Sequence, residues 1–227
     1  MKTDLRSVRS MIGIAFITGV TVCLPYNPVC NEVSDELFEI SQKGSTIRNL
    51  IKSFQGETVA SKKYAAFAWK ATAEGYPEIA LLFNAISNSE HVHAGNYKNL
   101  LIKAGVAIPE VKLRFEVRST ADNLRQAISG ESLEVSRTYP EFMAVANHDG
   151  NQKALEYFNH AYKAEIKHKK FFENALSALL AQITRDLPVE YNVCQVCGNT
   201  YDTQAPVRCA ICSSSRDHFL QVIGYTK

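Results

Sequence analysis

Two pairs of potential metal ligands are spaced three positions apart in this chain of 227 residues. They are Glu90 with His93, and Glu165 with His168. A spacing of three residues places both side chains on one face of an α-helix. A mixed set of carboxylate oxygens and imidazole nitrogens suits iron or manganese better than calcium. The two pairs therefore predict ligands of a transition metal, carried by helices that must bring them together.

The sequence around these pairs predicts four helices, because apolar positions recur in alternating steps of four and three. The first begins at Ser45 or Thr46 as N-cap, and Pro140 is predicted to kink the third. No helical stripe crosses residues 105–118, which predict a long crossover of the kind found in ferritin-like bundles. The four predicted helices cover residues 46–75, 77–105, 119–145 and 151–182.

Each predicted helix places one glutamate on its inward face. These glutamates are Glu57, Glu90, Glu131 and Glu165. Burying four unpaired carboxylates would cost several kcal/mol each, and two divalent cations would neutralise them. Two Glu-x-x-His pairs with two further acids match the dinuclear arrangement of ferritin-like bundles. Any single member could instead be a snorkelling surface glutamate or a hydrogen-bonded core histidine.

The remaining histidines are predicted not to bind metal. His91 points about 100° away from Glu90 on the helix. The others lack a partner at the required spacing and are predicted to lie on the surface or in local hydrogen bonds: His148, His160 and His218.

Four of the six cysteines form two C-x-x-C knuckles near the C-terminus, while Cys23 and Cys30 stand apart. Two knuckles predict one tetrahedral metal site, for which thiolates select zinc or iron. A structural zinc ribbon is one interpretation. Iron is favoured because a one-electron centre beside a dinuclear redox site would make a functional unit. The four ligands are Cys194, Cys197, Cys209 and Cys212.

The composition is that of a globular protein with no broad cationic surface, because 25 basic and 23 acidic residues give a net charge of +2. Nucleic acid is therefore not indicated as a partner. Lys2, Arg6 and Arg9 precede the apolar run of residues 11–24, which is similar to an export leader but short for a membrane span. This run predicts either a leader or tether, or an N-terminal extension.

The same residues, taken in order, resemble the rubrerythrin family over residues 43–223. Besides the ligands, the resemblance includes "KSFQGET", "GESLE", "RTYPEF" and "VCQVCG". It implies a mainly α protein, with a ferritin-like four-helix bundle followed by a small rubredoxin-like domain. It also implies a non-haem di-iron centre with carboxylate and oxo bridges, and a mononuclear Fe(Cys)4 centre.

The resemblance further implies roles for individual residues. Glu90 and Glu165 would bridge the two irons, with Glu57 and Glu131 as terminal ligands. His168 would bind the iron on the Glu131 side. The remaining implied residues are the alternating ligands His93 and Glu134 on the other iron, and the nearby hydrogen-bonding tyrosines Tyr64 and Tyr139.

The implied function is reduction of hydrogen peroxide to water in oxidative-stress defence, with electrons from an external rubredoxin or NAD(P)H-dependent reductase. A homodimer or higher homo-oligomer is implied, in which the Fe(Cys)4 centre of one subunit serves the di-iron site of its partner. The alternatives are a ferroxidase or iron-storage protein, and a non-enzymatic binding module stabilised by zinc. The resemblance implies a cytoplasmic protein, whereas the N-terminal run suggests export or a membrane tether.

The predicted organisation is an extension (1–42), a di-iron bundle (43–183), a linker (184–190) and a rubredoxin-like domain (191–227). Two tail residues depart from the family pattern, since Ala210 and Ser213 stand where proline and glycine are common. Such changes would alter backbone contacts to sulfur, and hence the reduction potential, without preventing metal binding.

Overall fold

A computed structural model describes residues 28–224, with side chains described from residue 44 onward. Its second compact unit, Glu39–Lys227, contains both a helical bundle and a small sheet. The predicted fold class, a mainly helical chain ending in a small four-cysteine module, is confirmed. The bundle helices are α1 (Pro28–Ala73), α2 (Pro77–Lys103), α3 (Thr120–Leu133), α4 (Tyr139–His148) and α5 (Gln152–Leu180).

Several predicted helix boundaries are confirmed by the capping residues. Proline occupies the first turn of α2. At the start of α3, the Ser119 side chain accepts a hydrogen bond from the Asp122 amide, and Asn151 caps α5 in the same way. The predicted start of the first helix is wrong, because α1 begins at Pro28. Thr46 is therefore not its N-cap, and its amide and hydroxyl instead donate to the Asp149 carboxylate after α4.

The third predicted helix is interrupted by a π-helical segment, Glu134–Thr138, between α3 and α4. A π-helix has wider turns, because its hydrogen bonds span five residues, as from the Tyr139 amide to the Glu134 carbonyl. The wider turn holds one residue more than an α-helical turn. Beyond it, the residues that face the core are therefore shifted by one position. Tyr139 and Ala146 are buried, whereas the prediction placed Thr138 and Val145 there. The constant spacing assumed for this helix is therefore wrong beyond Glu134.

The bundle core consists of two apolar clusters that lie on either side of the acidic residues along each helix. One cluster includes Tyr64, Phe83 and Phe172. The other includes Tyr97 and Phe158. The four inward glutamates lie between the clusters, where apolar packing excludes water and fixes the helices that carry them.

The C-terminal module is a three-stranded antiparallel sheet in the order β2-β1-β3. Its strands are β1 (Glu190–Cys194), β2 (Thr200–Tyr201) and β3 (Phe219–Ile223). Cys194 ends β1, and the first knuckle turns from β1 into β2. The strands β1 and β3 contact α2, and β2 contacts α5, so the module lies against the bundle.

Among residues 28–224, none of the helices combines the length and apolar character needed to span a membrane. The leader-like run at 11–24 lies outside the described residues.

Candidate metal centres

The bundle helices bring the predicted acids and histidines into two sets of four donor residues. In each set the donor atoms lie within 4.8 Å of one another, and all the side chains are buried. Glu90 and Glu165 belong to both sets, which is the position that a bridging carboxylate must occupy. The first set is Glu57, Glu90, His93 and Glu165, and the second is Glu90, Glu131, Glu165 and His168.

His93 points one ring nitrogen at the acids and the other at the cysteine module. Its Nε2 lies 3.1 Å from the carbonyl oxygen of Cys197. A carbonyl only accepts hydrogen bonds, so Nε2 must carry the hydrogen. In the neutral ring the lone pair is then on Nδ1, which lies 2.9 Å from Glu90 and 3.0 Å from Glu165. The module thus sets the tautomer that a metal ligand in this position requires.

His168 is oriented in the same way. Its Nδ1 lies 2.6 Å from Glu165 and 3.2 Å from Glu90. Its Nε2 lies 3.3 Å from the hydroxyl of Thr200 in β2. Both histidines therefore present the same nitrogen to the acids and the other nitrogen to the module.

Two tyrosines support the terminal acids from opposite sides. The Tyr64 hydroxyl donates to Glu131 at 2.5 Å, and the Tyr139 hydroxyl donates to Glu57. These are the two tyrosines for which the resemblance implies hydrogen bonds near the metals. Tyr97 adds a residue that the sequence did not single out, because its hydroxyl donates to that of Tyr139 at 3.2 Å.

The buried atoms of the cluster test whether metal ions fit it. In the described part of the chain, six carboxylate oxygens and imidazole nitrogens of the cluster have no hydrogen-bond partner. This holds even where a histidine nitrogen lies within 3 Å of a carboxylate oxygen, as His93 Nδ1 does with Glu90. Buried polar atoms are rarely left unpaired, so these positions require another partner. Carboxylate oxygens and an imidazole nitrogen are ligands that iron accepts. The atoms are Glu57 Oε2, Glu90 Oε1 and Oε2, His93 Nδ1, Glu131 Oε2 and Glu165 Oε1.

The electrostatics of the cluster indicate the same need for positive charge. Burial and the neighbouring carboxylates raise the pKa of Glu57 and Glu131 well above the usual range. Burial also acts on Glu165, but the adjacent imidazoles outweigh it and hold its pKa well below the usual range. Burial would lower the pKa of His168, but the carboxylates of Glu90 and Glu165 raise it to about 9. Without cations, the cluster retains protons on groups that would otherwise bind metal.

Glu134, the predicted alternating ligand, belongs to neither set of four. It lies in the π segment, and burial together with Glu131, Glu165 and Glu90 raises its pKa well above the usual range. Its carboxylate therefore adjoins the cluster without joining it in this conformation.

The histidines predicted not to bind metal are outside the donor sets. His91, His148 and His218 are exposed. His160 is half-buried, and its ring meets Tyr157 edge-on at a centroid distance of 6.0 Å.

The four cysteines of the module converge on one point, as the spacing predicted. All four are free thiols. The Sγ atoms of Cys194 and Cys212 are 3.6 Å apart, and those of Cys197 and Cys209 are 3.5 Å apart. A tetrahedron with metal–sulfur distances of about 2.3 Å has edges of about 3.8 Å. The thiols are therefore arranged to hold one tetrahedral ion with only a slight expansion.

The first cysteine knuckle contacts α2 through its backbone. The Ser89 hydroxyl donates to the Gly198 carbonyl at 2.5 Å, and the Asn96 amide donates to the Val196 carbonyl at 2.9 Å. Gly198 has a φ of +80°, and a Cβ there would lie 2.2 Å from His93 Nε2. Only glycine allows the knuckle to approach the histidine this closely.

The four-cysteine module contacts the di-metal site of its own chain. The assembly that the resemblance implies, in which each module serves the site of a partner subunit, stays a prediction. Within this chain, residues 181–189 follow α5 and lead into β1, which lies along α2. The contact between Cys197 and His93 is part of this packing.

The residues that join the two centres were missed by the sequence analysis. Ser89, Asn96 and Lys167 are polar positions on helices, and Asn199 and Thr200 follow a knuckle. Their spacing carries no metal-ligand signal. Gly198 was visible as part of the Cys-Gly motif, but its contact depends on where the module packs.

Comparisons with known proteins agree with this geometry. Residues 48–176 match the family model described as Rubrerythrin. The chain is 30% identical to Rubrerythrin-2 of Clostridium acetobutylicum, over 79% of this chain and 98% of that protein. It is 32% identical to Nigerythrin of Nitratidesulfovibrio vulgaris, over 78% and 86%. A solved structure of fully reduced, all-ferrous nigerythrin superposes with a TM-score of 0.69, at 32% identity, and covers 79% of this chain and 86% of that one.

Proposed function

Because the chain belongs to the rubrerythrin family, we propose that it is a non-haem di-iron peroxidase that reduces hydrogen peroxide to water. The electrons would pass through the four-cysteine centre. The observation that carries this proposal is the hydrogen-bond contact between His93 Nε2 and the Cys197 carbonyl, at 3.1 Å. A reductive enzyme must be supplied with electrons, and this contact joins a predicted one-electron centre to the dinuclear site. An iron-storage protein has no need for it.

The geometry supports a ligand role for each member of the two donor sets. We assign Glu90 and Glu165 as bridging ligands because they are shared. Glu57 and His93 would complete the coordination of one ion, and Glu131 and His168 that of the other. Glu134 would replace His93 when the ion beside Glu57 is oxidised, because a carboxylate favours the ferric ion and a neutral imidazole the ferrous ion. The four cysteines would hold the mononuclear iron.

When bound, the two ferrous ions supply one electron each, so that hydrogen peroxide with two electrons and two protons gives two water molecules. The protein's own groups orient this chemistry. The Tyr64 and Tyr139 hydroxyls hold the terminal acids Glu131 and Glu57. The two apolar clusters on either side keep bulk water from the acids.

The partners of this reaction are an external electron donor, such as a rubredoxin or an NAD(P)H-dependent reductase, and hydrogen peroxide. Members of the family are often oligomeric, and a homodimer stays a prediction for this chain. The contact between module and bundle supports electron delivery to the dinuclear site against which the module packs.

Stopped-flow absorption of the reduced, iron-loaded protein tests the proposal. An Fe(Cys)4 centre has visible charge-transfer bands when oxidised, so their return reports electron flow to the oxidant. We expect rapid return with hydrogen peroxide and slower return with oxygen. Glu90→Ala is the control, because its module keeps the iron but has no dinuclear site to which it can pass electrons. Faster reaction with oxygen and accumulation of ferric iron would instead support a ferroxidase, and a colourless zinc-loaded module would overturn the electron route.

A further inference from the structure

Lys167 extends from the bundle helix α5 into the four-cysteine module. Its Nζ donates to the Asn199 side-chain oxygen at 2.8 Å and lies 4.2 Å from the centre of the Tyr201 ring. Burial lowers the pKa of Lys167, while Cys209, Asp202 and Cys197 oppose that lowering. Lys167 is half-buried, and its ammonium group contacts Asn199 and Tyr201 of the module.

The two module residues that hold Lys167 are also donors to one cysteine sulfur. The Asn199 amide nitrogen lies 3.6 Å from Cys209 Sγ, and the Tyr201 hydroxyl lies 3.9 Å from it. The Ala210 amide donates to the Tyr201 hydroxyl at 2.9 Å and so orients that hydroxyl. Lys167 is thus linked to the same sulfur through two separate side chains.

These contacts have a defined effect on a bound iron. Four thiolates carry one net negative charge with ferric iron and two with ferrous iron. A nearby cation and hydrogen bonds to sulfur stabilise the more negative, reduced form. Asn199 is fully buried and Lys167 is half-buried, so solvent screens the interaction only in part.

We propose that Lys167 is a positioning residue that raises the reduction potential of the Fe(Cys)4 centre through Asn199 and Tyr201. The proposal rests on the proposed function only in requiring iron in the module. Lys167 adjoins His168, whose Nε2 contacts Thr200. The cation therefore reaches the sulfur only when the module is packed on α5, and the centre accepts electrons more readily in that docked state than away from the bundle.

The test is an anaerobic redox titration of the iron-loaded protein, with the visible bands of the module as the readout. In Lys167→Gln we expect the equilibrium constant for reduction by a given donor to fall about tenfold, which is about 59 mV for one electron. Lys170→Gln is the matched control, because Lys170 is exposed, lies three residues further along α5 and loses the same charge. Its potential should equal that of the unmodified protein.

Two further variants separate the charge from the hydrogen bonds. In Lys167→Arg the reduction potential should stay close to that of the unmodified protein. Tyr201→Phe should lower the potential by less than Lys167→Gln does. An unchanged or raised potential in Lys167→Gln would overturn the proposal, as would an equal fall in Lys170→Gln. Iron content and the oxidised spectrum verify that the module is folded. The titration uses no peroxide, so a protein without peroxidase activity would refute the proposed function and leave this inference standing.

Discussion

The two metal centres are built in opposite ways, although they contact each other. The dinuclear site draws its donors from four helices, α1, α2, α3 and α5, over residues 57–168. The four cysteines lie within residues 194–212, on two short knuckles. The dinuclear site therefore depends on the packing of the whole bundle, whereas the cysteine site depends on local turns and on its metal. A change to the ligands of one site should therefore leave the metal content of the other unchanged.

The largest expected effect comes from removing a shared ligand. Glu90→Ala takes one carboxylate from both donor sets, so both ions of the bundle should be lost while the module keeps its iron. Metal analysis of the purified protein, with the visible spectrum of the module, measures the two outcomes. His91→Ala is the control and should leave the metal content unchanged, because His91 is exposed on another helix face. Loss of metal in His91→Ala would contradict the assigned helix face.

The reciprocal change should empty only the module. Cys197→Ala removes one of four tetrahedral ligands, and the visible bands of the Fe(Cys)4 centre should disappear. The bundle should keep its two ions, since its ligands are supplied by other elements. Cys23→Ser is the matched control and should change neither centre, because Cys23 lies outside both C-x-x-C knuckles. Loss of both centres in Cys197→Ala would show that the bundle site depends on the module.

The sequence was sufficient to pair the donors of the two Glu-x-x-His motifs and of the two C-x-x-C knuckles, because the spacing within each motif is short-range. A separation of three residues determines the relation of Glu165 to His168 on a helix, whatever surrounds it. The π segment was not predictable in this way, since Tyr139 replaces Thr138 on the inward face only through an extra residue in one turn. The packing of the module against the bundle could not be predicted from the sequence either. Contacts such as that of Asn199 with Lys167 depend on tertiary packing.

The interface between the regions is expected to be sensitive at Gly198. Gly198→Ala places a Cβ 2.2 Å from His93 Nε2, in a backbone conformation with φ +80° that disfavours side chains by about 1–2 kcal/mol. The knuckle should move away from the histidine. We expect electron transfer from the module to the bundle to slow at least tenfold, with metal content unchanged, as measured by stopped-flow absorption.

Gly95→Ala is the matched control, because this helical glycine is close to His93 in sequence but has open space at its Cβ position. It should leave the electron-transfer rate unchanged and raise the free energy of unfolding by up to about 1 kcal/mol, since alanine favours helix. Equal rates in Gly198→Ala and the unmodified protein would show that the close contact with His93 is not the electron route.

The smallest expected effect distinguishes the regions through the pH dependence of the metal-free protein. The acids around His168 raise its pKa to about 9, from an ordinary value of about 6.5. The folded state then binds this proton more tightly than the unfolded state. Its contribution to stability is fully present below about pH 6.5 and is lost as the pH rises towards 9. The raised pKa values of Glu57 and Glu131 act in the same direction. The lowered pKa of Glu165 adds stability at neutral pH, and this stability is lost only as the pH falls into the acidic range.

We therefore expect the metal-free protein to lose on the order of 3 kcal/mol between pH 6.5 and 9, which lowers the thermal midpoint by roughly 10 °C. Helical circular dichroism during heating measures this loss. The metal-loaded protein is the control, because a nitrogen bound to metal has no proton to lose, and its midpoint should be nearly constant over the same range. His148→Ala in the metal-free protein should lose the same stability between pH 6.5 and 9, since this histidine is exposed and belongs to neither donor set. A flat profile without metal would mean that the acids relax apart when empty, and that the bundle, like the cysteine module, depends on its metal for its arrangement.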